Sequence, residues 1–391
     1  MKSFSAQYIF TNAGPVLKRA IITASDDGTV INVEDTGGTL PERRSVEFHN
    51  GIIVPGFVNC HCHLELSCLH GSVPEGLGLP EFIRHIRSFR ENSTGNIDEA
   101  IASGDEQMLS EGIVLCGDIC NTSDTFKIKK SGRIRYISLI EVFGIDPEKA
   151  GLRMSQAKKV SEEADLVGIP WWFVPHSAYS LSLNLFRMLR DSSSANKVTS
   201  VHFMESPSEK EFLSTGRGSL IESYKASGLI TTGLRNVKGH VSAVLEEITP
   251  SGNLILVHNT FADRDTVEVV KERGSLFWCI CPRSNMYIEK KLPPVSMLKE
   301  EGCEIVIGTD SMASNHSLSI LAELKLLQDS FPAIGLNELI RWASLNGSRA
   351  LDEEKLFGSI EPGKKPGLLL LRDADIINMK LLPETSVTRL L

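Results

Sequence analysis

Short runs of apolar, often β-branched residues recur along the chain, and longer segments with polar faces separate them. Runs of this length, bounded by glycine, proline or polar clusters, are typical of buried strands, whereas the separating segments are long enough for helices. The predicted strands are 52–54 (running on towards His61), 112–116, 134–140, 171–174, 198–201, 254–257, 276–280 and 305–307. The predicted helices are 81–91, 97–111, 147–167, 181–193, 208–228, 263–273 and 316–329. Eight alternations over about 300 residues predict an α/β fold, a (β/α)8 barrel of TIM type.

A polar or thiol side chain follows each apolar run, at the point where the strand should end. In a (β/α)8 barrel the catalytic groups come from the carboxyl ends of the strands, so these residues should gather around one mouth. In chain order they are His61 with His63, Asp118, Glu141, His176, His202, His258, Cys281 and Asp310.

The two ends of the chain read differently from its middle. Residues 1–52 alternate apolar and polar positions, with a hairpin signal at Asp26, Asp27 and Gly28, and residues 358–391 contain another strand-like run. Neither end is long enough to build a stable core alone. We therefore expect both termini to form one small β-sandwich domain, with the barrel over residues 53–357.

His61 and His63 are separated by one residue after an apolar run. Alternate side chains of an extended strand share a face, so the two imidazoles should point the same way. Two neutral imidazoles on one rigid element make half of a site for zinc or a similar divalent ion. Taken alone, the pair is equally compatible with two unrelated histidines on a loop.

Composition and charge limit the classes of binding partner that are expected. The chain has 391 residues, 41% of them hydrophobic, and a net charge of −8, which argues against nucleic acid or an anionic membrane as the main partner. The first 30 residues lack a signal-peptide pattern, and no apolar run reaches the roughly 20 residues of a membrane span. Eight cysteines are then expected to be reduced. These features predict a cytoplasmic protein with a small-molecule partner, and they leave homo-oligomerisation open.

Six motifs in order along the chain resemble the amidohydrolase superfamily, in particular its deaminase and chlorohydrolase branch, which includes cytosine, guanine, S-adenosylhomocysteine and aminofutalosine deaminases. The resemblance runs from about Ile52 to Leu351 and rests on VPGFVNCHCH, HSAYS, VHFMES, LVHNT, CPRSN and IGTDSMASN. The later GSIEPGKKPGLLLL is similar to the family's return to its β domain, although Lys365, Pro366 and Gly367 replace the usual acidic pattern. The family implies a distorted barrel with a mononuclear metal at its mouth.

The resemblance assigns four metal ligands, namely His61, His63, His202 and Asp310. Three imidazoles and a carboxylate leave one position open for water, as a hydrolytic metal requires. One divalent ion per chain is expected, zinc by ligand type, with Fe2+ as the alternative. Zinc would lower the pKa of the water to roughly 7.

The resemblance also assigns roles in catalysis. Glu205, three residues after His202, would carry a proton from the water to a ring nitrogen, and Asp310 would take the remaining proton. His258 would orient the attacking hydroxide or polarise the breaking bond. Read without the family, a glutamate after a strand is usually a solvated loop residue, and a histidine at a strand end is often structural.

Substrate contacts are expected from His176, Ser311 and Arg283, and from the long segment 64–80 after the first barrel strand. His176 stands where binuclear relatives carry a metal-bridging lysine, which favours a single metal. Arg283 could meet an anionic group on the substrate, and a surface cation is the equal alternative. Glu141 and Asp118 could equally be scaffolding at the barrel mouth.

These features together predict a metal-dependent hydrolytic deaminase that releases ammonia from an amino-substituted heteroaromatic. An adenine-type base or nucleoside is the expected substrate, with aminofutalosine as one candidate. The alternative is dechlorination or cyclic-amide hydrolysis by the same site. A more remote alternative is a non-catalytic binding subunit, against which the full set of expected ligands argues.

Overall fold

The computed structural model describes residues 1–40, 45–92, 96–229, 231, 234, 248, 252–271 and 274–391. Within these ranges, no helix combines the length and apolar character needed to span a bilayer. The eight cysteines are all free thiols, six of them buried.

Strands from both termini form one seven-stranded sheet in the order β15-β14-β5-β1-β3-β4, with β2 paired to β1. These strands are β1 Lys2–Ile9, β2 Leu17–Lys18, β3 Ile21–Ala24, β4 Val30–Glu34, β5 Val46–Pro55, β14 Leu368–Arg372 and β15 Ser386–Arg389. The joining of the two ends is as expected. The described residues form a single sheet here, so a second layer that would make a sandwich stays a prediction.

Two four-stranded parallel sheets, β6-β7-β8-β9 and β10-β11-β12-β13, make up the middle of the chain. Their strands are β6 Phe57–Cys62, β7 Ile113–Cys120, β8 Arg135–Val142, β9 Trp171–Pro175, β10 Val198–Phe203, β11 Asn253–His258, β12 Leu276–Ile280 and β13 Ile305–Ile307. Single parallel bridges join the two sheets, from Cys62 to Asp310 and from Ser177 to His202. Seven of the eight predicted strands are thereby confirmed.

The first predicted strand is placed differently. Residues 52–54 lie in β5 and pair with β1 and β14, while His61 lies on the separate strand β6. Gly56 separates the two strands, and a Cβ there would clash with Cγ1 of Val114 and with the carbonyl oxygen of Pro366. The apolar run therefore belongs to the terminal sheet, and the first parallel strand begins only after the break at Pro55 and Gly56.

Helices follow most of the parallel strands. In the described residues they are α1 Leu79–Asn92, α2 Ile97–Ser110, α3 Phe126–Lys129, α4 Ala150–Val167, α5 Leu183–Ser192, α6 Pro207–Thr215, α7 Ser219–Ala226, α8 Arg264–Val270, α9 Pro282–Glu289, α10 Val295–Glu300, α11 Ile320–Ser330, α12 Leu336–Arg341 and α13 Gly347–Ala350. Short 3-10 turns cover Leu64–Leu69 and Pro147–Lys149, and a π-helical turn covers Trp342–Asn346. The last two residues of the predicted helix 263–273 lie outside the described residues.

One buried apolar cluster takes side chains from all eight parallel strands. Its members include Val58, Leu115, Leu139, Val174, Val198, Ile255, Cys279 and Val306. Strands covered on both faces read as continuous apolar runs, which explains why the sequence marked them so clearly. Packing in this cluster holds the eight strands in place, and the polar side chains lie at the carboxyl ends of these strands.

Candidate active site

An open cavity of about 860 Å3 lies at the carboxyl ends of the parallel strands. Its polar lining includes His63, Glu141, His176, His202, Glu205 and Asp310. The structure thus brings together residues that are up to about 250 positions apart in the sequence.

His61 and His63 converge with Asp310 at the base of the cavity. Nε2 of His61 lies 3.1 Å from Nε2 of His63, and Oδ1 of Asp310 is 3.6 Å from each of these nitrogens. Two nitrogens each about 2.1 Å from one ion would lie roughly 3.0–3.4 Å apart. Ligand atoms of His61, His63 and Asp310 form one buried group that could hold a metal ion. His202 joins His61 and His258 in a second group, and His63 and Glu141 in a third.

Hydrogen bonds orient these ligand atoms. Nδ1 of His202 donates to the carbonyl oxygen of His176 at 2.8 Å, which turns its Nε2 towards the cluster. Oδ2 of Asp310 accepts from the hydroxyls of Ser284 at 2.6 Å and Ser314 at 2.8 Å, so Oδ1 remains free to face the histidines. Such outer hydrogen bonds are the usual support of metal-ligating histidines and carboxylates.

Burial and mutual contacts keep His63, His202 and Asp310 in the protonation states that metals bind. Burial, with the neighbouring His61, lowers the pKa of His63 to about 3, and burial places the pKa of His202 well below its usual value. Burial alone would raise the pKa of Asp310, but its contacts with His61, His258 and His63 hold it well below the usual range. Neutral imidazoles and an ionised carboxylate are the ligand forms required.

Glu205 lies beside the cluster without belonging to it. The Tyr179 hydroxyl donates to its Oε1, and its Oε2 is 3.6 Å from Nε2 of His258. Burial raises the pKa of Glu205 to about 7, although His258 and the Tyr179 hydroxyl act in the opposite direction. A carboxyl group with this pKa can both accept and release a proton near neutrality.

His258 and His176 each have a hydrogen-bonding partner at Nδ1. Nδ1 of His258 lies 2.9 Å from Oδ1 of Asn285 and donates to it, which leaves Nε2 directed towards Glu205. Nδ1 of His176 lies 2.7 Å from Oε1 of Glu141. Burial would raise the pKa of Glu141, but the contact with His176 outweighs it and lowers the pKa to about 2.

The backbone is strained where two of these side chains leave their strands. His258 has φ +77° and Asp310 has φ +58°, both in the left-handed region that is unfavourable for residues with a Cβ. Such outliers cluster at functional sites, because only a tightly packed surrounding holds them. Gly308 allows the backbone just before Asp310 to lie close to β6, since a Cβ there would meet the His61 Cβ at 2.9 Å.

Ser311 is buried and lines the cavity, as expected, whereas Arg283 is not among the residues that line it. Nε of Arg283 donates to Oδ1 of Asn315 at 3.0 Å, and its backbone N–H donates to Oε2 of Glu323 at 2.9 Å. The bond to Asn315 directs the side chain towards the segment that follows Asp310. A contact of Arg283 with the substrate stays a prediction, and among the described residues Arg87 on α1 lines the cavity.

Sequence reasoning missed several residues that the site uses. Glu141 carried the same strand-end signal as the histidines, but that signal could not separate a site residue from scaffolding. Tyr179 lies in the HSAYS motif, and Ser284 and Asn285 lie in CPRSN, so both motifs pointed to the correct segments. Asp118, by contrast, is scaffolding: it pairs with the buried Lys129 at 2.7 Å and accepts the Leu64 N–H at 2.8 Å.

The Amidohydrolase family profile matches residues 52–387 of the sequence. This range covers both parallel sheets, the strand ends that carry the site, and the return to the terminal sheet. The chain belongs to the amidohydrolase family. The resemblance carried by the six motifs is therefore confirmed.

Relatives of this amidohydrolase include enzymes named as deaminases. The adenosine deaminase of Helicobacter pylori is 25% identical over 340 residues, covering 84% of this chain and 80% of the relative. The structure of Helicobacter pylori aminofutalosine deaminase with methylthio-coformycin matches with a TM-score of 0.80 at 22% identity, covering 95% of this chain and 92% of that one. A zinc-bound adenosine deaminase from Xanthomonas campestris matches with a TM-score of 0.69 at 21% identity, covering 94% and 84%. The structural matches show a shared fold.

Proposed function

We propose that this amidohydrolase deaminates adenine-type nucleosides by hydrolysis, releasing ammonia. The observation that carries the proposal is Glu205, a carboxyl group with a pKa of about 7 placed beside a buried cluster of histidines and Asp310. Proton transfer between an attacking water and a ring nitrogen needs such a group within reach of both. Relatives named as adenosine and aminofutalosine deaminases support the substrate class.

A divalent ion fits the donor set of the cluster. His61, His63 and His202 would hold it through imidazole nitrogens, and Asp310 through Oδ1, as argued from their distances and outer hydrogen bonds. Three imidazoles and one carboxylate favour zinc, which the Xanthomonas campestris relative binds, and one ion per chain. When bound, the ion acts as a Lewis acid that makes a water acidic enough to ionise near neutral pH.

The side chains around the cluster then divide the proton transfers. Glu205 takes a proton from the attacking water and delivers it to the ring nitrogen, as the C–O bond forms at the amidine carbon. His258, fixed through Nδ1 by Asn285, directs Nε2 to the oxygen at that carbon. Asp310 accepts the second proton of the water, which leaves with the amino group as the C–N bond breaks. Tyr179 positions Glu205, and His176 with Ser311 contacts the substrate.

We further propose that the eight parallel strands close into one (β/α)8 barrel over 53–357. The bridges from Cys62 to Asp310 and from Ser177 to His202, together with the apolar cluster shared by all eight strands, support closure. Closure would explain why ligands from β6 and from the segment after β13 meet, because first and last strands are then neighbours.

The decisive experiment is an ammonia-release assay on the zinc-loaded protein. Adenosine, 5′-deoxyadenosine, methylthioadenosine, S-adenosylhomocysteine and aminofutalosine would be compared with guanine and a chlorotriazine. Ammonia from at least one adenine nucleoside, abolished in Glu205→Gln, is the expected result. Halide release from the chlorotriazine without ammonia from any nucleoside would instead favour the dechlorinase alternative.

A further inference from the structure

Helix α1 presents an apolar face to the cavity that ends in a cation. Leu79, Phe82, Ile83 and Ile86 line the cavity, and Arg87 follows them at the next position of the same face. Their spacing of three and four residues places all five along one side of the helix. One wall of the cavity therefore changes from apolar to positively charged along its length.

The surroundings of Arg87 are those of a cation that binds a ligand. Its Cζ lies 5.2 Å from the ring centroid of Tyr224, a buried residue that also lines the cavity. Among the side chains that the structure describes, which in α1 end at Phe89, no carboxylate lies within ion-pairing distance of Arg87. Arg84, one turn earlier on the exposed side, pairs with Glu81 at 2.7 Å. A half-buried guanidinium without a carboxylate in such a wall can take an anion from the substrate.

The α1 wall is separate from the reacting groups. The candidate metal ligands and Glu205 come from the strands and the segments just after them, and α1 contributes none of these atoms. A nucleoside whose base reaches Glu205 must therefore direct other parts of itself to the remaining walls. An apolar stretch followed by a guanidinium fits a substituent that has an apolar stem and a carboxylate at its end.

We propose that Arg87 is a specificity-determining residue that binds a carboxylate on the 5′ substituent of an adenine nucleoside. The proposal rests on the proposed function, and it adds the class of nucleoside that the site prefers. It also moves the anion contact from Arg283, whose side chain is engaged with Asn315, to α1.

The test compares two probes of the same shape on the zinc-loaded protein. One is adenosine with a 5′-carboxyalkylthio group, and the other is its carboxamide, which lacks only the charge. Ammonia release gives kcat and KM, and calorimetry gives the dissociation constant separately. We expect the wild type to prefer the carboxylate by about tenfold or more in kcat/KM, mainly through KM, on the scale of one charge-assisted hydrogen bond.

Arg87→Met should abolish this preference while leaving the carboxamide within about threefold of wild type, and Arg87→Lys should restore part of it. Arg84→Met is the matched control, since it removes a cation from the exposed side of the same helix, and it should keep the full preference. Equal loss on both probes in Arg87→Met, or no preference in the wild type, would overturn the proposal. Arg87-dependent binding of the carboxylate without ammonia release would leave the subsite standing and reject the proposed function.

Discussion

At the scale of single residues, the carboxyl groups of the site differ in pKa because their environments differ. Glu205 is buried beside Glu209 and has a pKa of about 7, whereas Glu141, in contact with His176, has a pKa of about 2. Two carboxyl groups with different pKa values in one cavity are suited to different tasks. Glu205 is suited to move protons, and Glu141 remains ionised to orient His176.

Glu205→Gln should lower kcat by at least 10²-fold, the scale of general acid–base catalysis. The amide keeps the size of the side chain but cannot carry the proton, and Glu205 is not among the ligand atoms of the metal groups. Bound zinc, measured on the same samples by atomic emission, should therefore be unchanged. A variant that turned over within a few-fold of wild type would reject the assigned role.

Tyr179→Phe should shift the pH dependence of kcat/KM. The Tyr179 hydroxyl donates to Glu205 and lowers its pKa, so its removal raises that pKa. Because Glu205 must be ionised to accept a proton, the acid limb of the profile should move to higher pH, with little change in KM. Tyr8→Phe in the terminal sheet is a control for the loss of a phenol. An unshifted profile with lower activity at every pH would indicate only a structural role.

The sequence predicted which residues gather at the cavity more accurately than it predicted the partners of individual side chains. His61, His63, His202, His258 and Asp310 were predicted because each follows an apolar strand within a recognisable motif, and the structure brings them together. Their roles stay predictions until they are measured. The substrate contact of Arg283 stays a prediction: a long side chain next to a site residue can turn either way, and in this structure its Nε donates to Asn315.

At the scale of elements, the predicted strands and helices largely match the structure, because buried parallel strands carry an unmistakable apolar run. Residues 52–54 were assigned to the wrong sheet, since an apolar β-branched run looks the same in any buried strand. The predicted helix 208–228 is in fact two helices, α6 and α7. Gly216 ends α6 with a φ of +68°, a local feature that the apolar pattern does not reveal.

Helix α6 carries a buried carboxyl group that should make stability depend on pH. Oε2 of Glu209 accepts the N–H of Glu205 at 2.7 Å, and burial raises the pKa of Glu209 from 4.5 to about 7. The native state therefore holds a proton that the unfolded chain loses above about pH 4.5. This contribution to stability is full below that pH and is lost as the pH rises through 7.

Glu209→Gln removes this dependence, since the amide stays neutral and its oxygen can still accept the Glu205 N–H. The difference in unfolding free energy between the variant and the wild type should shift in favour of the variant between pH 5 and pH 8, by on the order of 3 kcal/mol. Urea denaturation at the two pH values measures the difference. Glu211→Gln on the exposed side of α6 should show no such gain, and a pH-independent difference for Glu209→Gln would contradict the burial argument.

At the scale of the whole molecule, two of the candidate metal ligands come from opposite ends of the parallel sheets. His61 lies on β6, the first parallel strand, and Asp310 follows β13, the last, and both Thr309 and Asp310 donate their backbone N–H to the carbonyl oxygen of His61. A bound ion would thus hold together segments about 250 residues apart. The sequence predicted this convergence only through the barrel topology and the family, since local patterns carry no information on which strands become neighbours.

Removal of the ion should therefore lower both activity and global stability. A ligand that binds only the native state adds about 4 kcal/mol when its free concentration is 1,000 times its Kd. We expect about one zinc per chain, its loss on dialysis against a chelator with a lower Tm, and recovery of both activity and Tm on adding zinc back. In Asp310→Ala the chelator should leave Tm unchanged, because the ion is already lost, whereas the exposed Asp352→Ala should respond like wild type. Two ions per chain, both needed for activity, would contradict the mononuclear site. That site is expected because His176 stands where binuclear relatives carry the lysine that bridges their two metals.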